Sequence, residues 1–423
     1  MTLGRDQGTQ SAPSTCRTPV GKASRRLHPG GGGVDYTNVS FDLHRALAKL
    51  IELNGSDLHL KVPSQPLCRI DGELVPIPGA EPLAAQDTDA AAKMMLGNDS
   101  VKYAEFESDG EVDLAYAVAG LARFRVNAFR QRGSVSIVMR AIPYGIKTIE
   151  ELDLPPVIRE LAEEERGIVL LTGTTGSGKS TTLASMIDHI NSTKARHVVT
   201  IEDPIEFLHS DKRSVINQRE IGMDTQNFKS ALRRVLRQDP DVILIGEMRD
   251  EETVQTALSA AETGHLVFST VHTVDAAETV NRLIDFFPPH MHNQVRAMIA
   301  GTLKGAVSQR LVPTADGKGR VAVCEVLRMT GRVKDMIMDP QQTGRLPEVI
   351  ADGGYYGMQT FDQALFHHLK AGRISMDEAM QFASSPHDFK LLVAADGRRG
   401  TTMDDLGQAE DQRAEVQQGS VLR

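Results

Sequence analysis

Tryptophan is absent from the 423 residues, and all aromatics together reach only 4%. That leaves little for the stacking platforms on which single-stranded nucleic acid lies. Basic charge is also short: 47 Lys and Arg stand against 56 Asp and Glu, a formal net charge of −9. A general polyanion binder needs a basic face for its phosphate contacts, so nucleic acid is not an expected partner. The three cysteines, Cys16, Cys68 and Cys324, are widely separated and form no C-x-x-C pair. They support neither a disulfide framework nor a zinc ribbon, and a reducing cytoplasm is the simplest compartment. No apolar run approaches the ~18 residues of a membrane span, and the N-terminus lacks the apolar stretch of a signal peptide. Direct membrane insertion is therefore not expected, and membrane association would go through a partner.

A chain of this length can bury two or three cores. Residues 1–36 are rich in Gly, Ser, Thr, Pro and Arg, and 396–423 are similarly polar; both read as disordered tails. From 37 to 148, a helical pattern (Phe41, Leu43, Leu47, Leu50, Ile51) leads into five strand-like runs, "DLHLKV", "CRIDGELVPI", "EVDLAYAV", "ARFRVNAFRQ" and "VSIVMRAI". Turn signals such as Asp71-Gly72 between them predict an α+β domain on an antiparallel sheet. Residues 149–164 read as a linker. From 165 to 345, the strands "GIVLL", "HVVTI", "DVILI" and "HLVFSTV" alternate with helices, the pattern of a parallel, doubly wound α/β domain. Residues 346–395 read as helical, with "FDQALFHHLKAG" and "SMDEAMQFA" forming a hairpin.

The most informative stretch is "GTTGSGKST", Gly173, Thr174, Thr175, Gly176, Ser177, Gly178, Lys179, Ser180 and Thr181. It fits G-x-x-x-x-G-K-[ST], follows the apolar run Ile168–Leu171, and opens a segment with apolar residues at Leu183, Met186, Ile187 and Ile190. A strand, a glycine-rich loop and a helix N-terminus make a concave set of amides that favours an anion. Lys179 reaches the β- and γ-phosphates and the Ser180 hydroxyl ligates Mg²⁺ in such a loop, so the ligand is a nucleoside triphosphate with Mg²⁺.

Binding alone is not hydrolysis, which needs carboxylates to hold the metal and orient water. Two acidic clusters fall just after predicted parallel strands, where open α/β sheets bind ligands. "TIEDPIEF" brings Glu202, Asp203 and Glu206; "DVILIGEMRD" ends in Gly246-Glu247, where many P-loop enzymes place an Asp on this strand. With Gly246 there, Glu247 is the candidate metal carboxylate. A third element, "TGHLVFSTVHT", brackets a strand with His265 and His272. Seven residues apart, the two are expected on opposite faces, with His272 at the phosphate end. The P-loop domain's own motifs offer no obvious arginine finger, whereas Arg123 and Arg125 share one strand face in the N-terminal domain, with Arg130 and Arg140 nearby.

Together "GTTGSGKST", "TIEDPIEF", "LRQDPDVILIGEMRD" and "TGHLVFSTVHT" resemble the Walker A, Asp, Walker B and His boxes of the secretion ATPases of the type II and type IV pilus group. Similarity runs from about residue 38 to 390. It is greatest to the twitching-motility (PilT/PilU) branch, through "ELNGSDLHLKV", "ARFRVNAFRQRGSVSIVMRAIP" and "GMQTFDQAL". The resemblance implies a hexameric ring of RecA-like ATPase domains, each joined by a flexible linker to a PAS-like domain with nucleotide between the two. It implies Glu206 as the water-activating residue, Glu247 as the Walker B carboxylate, His272 as a γ-phosphate contact, and N-terminal arginines reaching the nucleotide. Implied partners are a pilus platform protein of the inner membrane and a paralogous pilus ATPase. The segment "VLRMTGRVKDMIMDPQQTGRLPEVI" diverges from the helix that follows the ATPase core in that branch, so retraction, accessory and assembly roles all stay open, as does a RecA-like nucleic-acid motor.

Overall fold

The computed structural model describes residues 41–397 apart from 71, 98, 143 and 144. The two tails read from the sequence lie outside these residues, except for Asp396 and Gly397. The Gly397 amide donates to the Leu392 carbonyl and closes the last helix.

The Asp42 carboxylate accepts from the Arg45 amide at 3.1 Å and starts α1 (Leu43–Glu52). This satisfies one of the donors that a helix N-terminus leaves without a partner. Leu43, Leu47 and Leu50 turn inward onto β1 (Asp57–Leu60), β2 (Leu67–Ile70) and β3 (Glu73–Pro76). Then come α2 (Ala85–Leu96), α3 (Ser100–Asp109) and three longer strands, β4 (Glu111–Val118), β5 (Ala122–Gln131) and β6 (Ser134–Ile142). The sheet order is β3-β2-β1-β6-β5-β4, and every pairing is antiparallel. Along β5, Phe124, Val126 and Ala128 are buried while Arg123 and Arg125 take the alternate face. Both α2 and α3 were missing from the sequence reading, because "AQDTDAAAKMML" and "SVKYAEFESD" carry only a weak apolar stripe.

The expected flexible linker is corrected at 149–162. Ile149, Leu154, Val157, Ile158, Leu161 and Ala162 are all buried, the last four within the short helix α4 (Val157–Ala162), and pack with Val169, Leu183, Met186 and Phe268. These residues are part of the ATPase core.

That core is built on β7 (Gly167–Thr172), α5 (Lys179–Thr193), β8 (His197–Glu202), β9 (Val215–Glu220), α6 (Phe228–Val235), β10 (Val242–Ile245), α7 (Glu251–Glu262), β11 (Leu266–Val271), α8 (Ala276–Asp285), α9 (His292–Thr302), β12 (Leu303–Pro313) and β13 (Arg320–Arg328). The sheet order is β13-β12-β7-β11-β10-β8-β9, parallel throughout except that β13 runs against β12. Ile168 and Leu170 enter the hydrophobic cluster on one face of the sheet, Val169 and Leu171 the cluster on the other. A strand covered on both sides must be apolar at every position, which is why "IVLL" shows no alternation. The chain ends in α10 (Gly331–Met338), α11 (Leu346–Asp352), α12 (Phe361–Lys370), α13 (Met376–Phe382) and α14 (Pro386–Ala394). The last three dock on β12 and β13 through Val312, Val323, Phe361, Leu365 and Phe389, and the Arg310 guanidinium lies 3.8 Å above the Phe361 ring.

Between this C-terminal bundle and α8 sits Glu325, a carboxyl on β13 that is only 6% exposed and accepts from the Ala276 amide at 2.9 Å. Burial pushes its pKa up to about 7; Asp275 and Asp362 add to the rise, while the Ala276 amide and Arg310 oppose it. A group raised on folding contributes fully below its unfolded value near 4.5, and the contribution is lost as pH rises through about 7. Glu325→Gln keeps the acceptor and removes the titration. Between pH 5 and pH 8 the wild type is therefore expected to lose stability relative to the variant, by at most about 3 kcal/mol, in unfolding midpoints measured on both.

Candidate nucleotide site

The loop between β7 and α5 is shaped by glycines. Gly173 has φ +138°, and a Cβ there would lie 2.5 Å from both the Gln309 carbonyl and the Ser177 hydroxyl. Gly178 caps α5 at φ +89°, where a Cβ would meet the Gln309 amide nitrogen at 2.7 Å. Only glycine combines those angles with that crowding. Gln309, buried on β12, donates to the Ser177 carbonyl at 2.9 Å and accepts from the Thr182 hydroxyl at 2.8 Å. The neighbouring strand thus pins the loop and the first turn of the helix together. No sequence motif marked Gln309; its role exists only because β12 pairs with β7.

Lys179 is 7% exposed, and its ammonium donates to the carbonyls of Gly173 (2.8 Å) and Thr174 (2.9 Å). Burial pulls its pKa below the ordinary lysine value, while the carboxylates of Glu247 and Glu206 hold it up. Those two opposing carboxylates are the ones that the sequence singled out for catalysis, and they reach Lys179 from different strands.

Strand order explains the meeting. β8, β10 and β11 lie side by side, with Ile201 opposite Ile245 and Ile245 opposite Ser269, so their C-terminal ends open onto one edge next to the loop. The cleft there, of about 340 Å³, is lined by Thr175, Gly176, Lys179 and Ser180, by Glu202, Asp203 and Glu206, and by Glu247 and His272. Gly173, Thr174, Ser177, Gly178 and Thr181 are not among its lining residues; Gly173, Ser177 and Gly178 shape the loop through the contacts described above. Gly246 stands where an aspartate was looked for. A Cβ there would press on the Ile201 carbonyl at 3.3 Å and the Glu202 Cα at 3.4 Å, so the next residue, Glu247, faces the cleft instead.

Glu247 is flanked on both sides. Arg249 pairs with its Oε2 at 2.8 Å, and His272 Nε2 lies 3.4 Å from its Oε1. In the sequence Arg249 stands two residues after Glu247 within "GEMRD", a signal for this pairing that the search for an arginine finger in the N-terminal domain does not use. Its guanidinium pKa is raised by its hydrogen bond to Glu247. Glu202 behaves differently. It is hydrogen-bonded by the Thr200 hydroxyl (2.6 Å) and the Gln218 amide (3.3 Å), and burial pushes its pKa upward. It braces the Asp-box loop more than it offers charge. His209 also lines the cleft, with a pKa depressed to about 4 by burial, so its ring is neutral at pH 7.

His265 and His272 bracket β11 as the sequence implied: His272 lines the cleft, whereas His265 Nδ1 donates to the Ala260 carbonyl at 2.9 Å near the end of α7 and does not line it. Arg123 does not line the cleft either; it pairs with Glu220 at the end of β9, at 3.1 Å. Arg125 is exposed on the same face of β5, while Arg130 and Arg140 pair with Glu107 and Asp57 inside the N-terminal domain.

Among the described residues no group of three or more His, Cys, Asp or Glu is placed to hold a metal by itself; the Ser180 hydroxyl and the Glu247 carboxylate are hard oxygen donors of the kind Mg²⁺ takes, on one cleft beside the buried Lys179.

Known proteins resemble this chain over most of its length. Residues 35–381 match the family described as type II/IV secretion system protein. Over 348 residues the chain is 43% identical to the type IV pilus retractation ATPase PilT of Pseudomonas aeruginosa, covering 82% of this chain and all of that one. It is 39% identical to the type IV pilus ATPase PilU of the same organism, covering 83% and 91%. A crystal structure of the pilus retraction motor PilT with bound ADP superposes with a TM-score of 0.77 at 41% identity, over 83% of this chain and all of that one. With the P-loop, the two carboxylate boxes and the His box meeting at one sheet edge, the chain belongs to the type II/IV secretion system protein family.

Proposed function

We propose that this chain is the ATP-hydrolysing motor of a type IV pilus and drives its retraction. The observation that carries the reading is the convergence of Lys179, Ser180, Glu206, Glu247 and His272 on one cleft at the C-terminal edge of a parallel sheet. The relatives named for pilus retraction align over nearly the whole described chain. Among the described residues no helix is long and apolar enough to cross a membrane. In a retraction role the protein works at the cytoplasmic face, held there by a pilus platform protein, as a homo-hexamer and alongside a paralogous ATPase.

Lys179 and the loop amides hold the β- and γ-phosphates of ATP, and a helix N-terminus aligned on them adds its dipole. Ser180 and Glu247 are the residues placed to hold Mg²⁺, which neutralises charge on the phosphate oxygens. Glu206, exposed at the cleft, accepts a proton from the water whose oxygen attacks the γ-phosphorus, and ADP leaves with the electrons of the broken P–O bond. His272 donates toward the γ-phosphate, and Arg249 holds the Glu247 carboxylate in place. Arg125, exposed on its strand, is the N-terminal arginine poised to reach phosphate when domains or subunits close. The ring symmetry and mechanical stroke would follow from that closure.

Glu247→Gln is expected to retain ATP binding while turnover falls by at least ~10²-fold, the scale of a lost catalytic group, and Lys179→Ala to weaken binding itself. Fluorescent-nucleotide titration and phosphate-release assays separate the two; near-normal turnover in Glu247→Gln defeats its role. Arg249→Ala is expected to lower turnover by roughly 10-fold with binding retained, since an unpaired carboxylate is less well placed. Deleting the chain in its host tests the biological role: accumulated pili support retraction, lost pili an assembly role, and unchanged pili remove the chain from the pilus altogether.

A further inference from the structure

The pair between Arg123 and Glu220 joins the two sheets of the molecule. Arg123 comes from β5 of the N-terminal sheet and Glu220 is the last residue of β9, the edge strand of the ATPase sheet. The Arg123 guanidinium donates to Glu220 Oε2 at 3.1 Å. That same oxygen accepts the backbone amide of Ile205 at 3.2 Å. Ile205 is the residue before Glu206.

The geometry leaves the carboxylate little freedom. Its side chain is 8% exposed, and the Glu220 backbone is fixed by its own amide, which donates to Asp224 Oδ2 at 2.8 Å, and by pairing with Glu202 across the β8–β9 ladder. Two residues earlier on the same face of β9, Gln218 donates to the Phe207 carbonyl (2.8 Å) and accepts from the His209 amide (2.8 Å). Glu206 is therefore bracketed by side chains of one strand: Glu220 holds the peptide before it and Gln218 the peptides after it. Of these anchors, the Glu220 one is shared with the N-terminal domain.

We propose that Glu220 is a positioning residue that transmits the placement of the N-terminal domain, through Arg123, to the Asp-box loop carrying Glu206. A nearly buried carboxylate that loses its guanidinium must find other donors or solvent, because an unpaired charge there is costly. Its hold on the Ile205 amide loosens as it turns, and Glu206 loses a fixed mount. With Arg123 docked, the loop is held; with the domain swung away, it is released. This makes Arg123 a latch on the Asp box, distinct from an arginine that touches phosphate. The catalytic consequence rests on the reading of Glu206 given above.

The test uses the full-length protein without nucleotide and with ADP. In hydrogen–deuterium exchange, Arg123→Gln and Glu220→Gln are both expected to speed exchange in peptides spanning 203–209 by on the order of 10-fold, as the loss of one charge-assisted anchor implies. Arg125→Gln, two residues along the same strand face, leaves that exchange within about 2-fold. In steady-state hydrolysis, both variants lower kcat by roughly 10-fold with KM changed by less than about 3-fold, and the double variant falls no further than either single one. Unchanged exchange in Arg123→Gln overturns the proposal, as do single effects that multiply in the double variant. If Glu220→Gln fails to fold, Arg123→Gln, whose side chain lies at the domain boundary, still decides it by exchange. Wild-type turnover in Glu206→Gln would remove the catalytic reading of Glu206, while the exchange result would still judge the coupling.

Discussion

Everything in the nucleotide cleft depends on parallel pairing among β7, β11, β10 and β8. Parallel strands share a direction, so their C-terminal ends emerge at one edge, and each loop that leaves that edge carries a different part of the chemistry. β7 delivers Lys179, β8 the Asp box, β10 Glu247 and β11 His272. The pairing itself is held mainly by apolar side chains buried on both faces, Val198, Ile243, Val267 and Leu170 among them, with the small hydroxyls of Thr200 and Ser269 buried between them. The charged and ligand-facing groups come only where each strand exits.

Charge in the cleft is organised around the buried Lys179. Its own burial opposes the ammonium, and the carboxylates of Glu206 and Glu247 favour it. Glu247 in turn is shared between Arg249 and His272. The cleft thus sets the Lys179 ammonium and the Arg249 guanidinium among the Glu206 and Glu247 carboxylates, an arrangement suited to a ligand that brings several negative charges and a cation of its own. Glu202 and His209 line the same cleft, and burial disfavours the charged form of each.

The strands outside the central four supply the fine placement. β12 holds the phosphate loop through Gln309, and β9 holds the Asp-box loop through Gln218 and Glu220. Each of these amide or carboxylate side chains bonds a backbone group of the loop and a second partner at once: the Thr182 hydroxyl for Gln309, a second backbone group for Gln218, and the Arg123 guanidinium for Glu220. Because β9 also receives Arg123, the loop bearing Glu206 is mechanically connected to the N-terminal sheet, and the packed residues 149–162 make the connection to the core short.

Local chemistry made the central strands and the P-loop legible in the sequence. "IVLL" and "VILI" are apolar throughout, and "LVFSTV" adds only two small hydroxyls, because both faces are covered, and glycine at 173 and 178 is required by backbone angles that other residues avoid. Glu206, Glu247 and His272 were legible for the same reason, since each follows such a strand directly. The edge strands and α2 and α3 were not, because their burial is partial and their patterns weak. Arg123 shows the limit most plainly: period-two alternation put it on the same strand face as Arg125, yet only the packing of one sheet against the other gave it to Glu220. Gln309 and Glu220 are ordinary polar residues in the linear chain. Their partners lie 132 and 15 positions away, and it is tertiary pairing that turns them into the supports of the site.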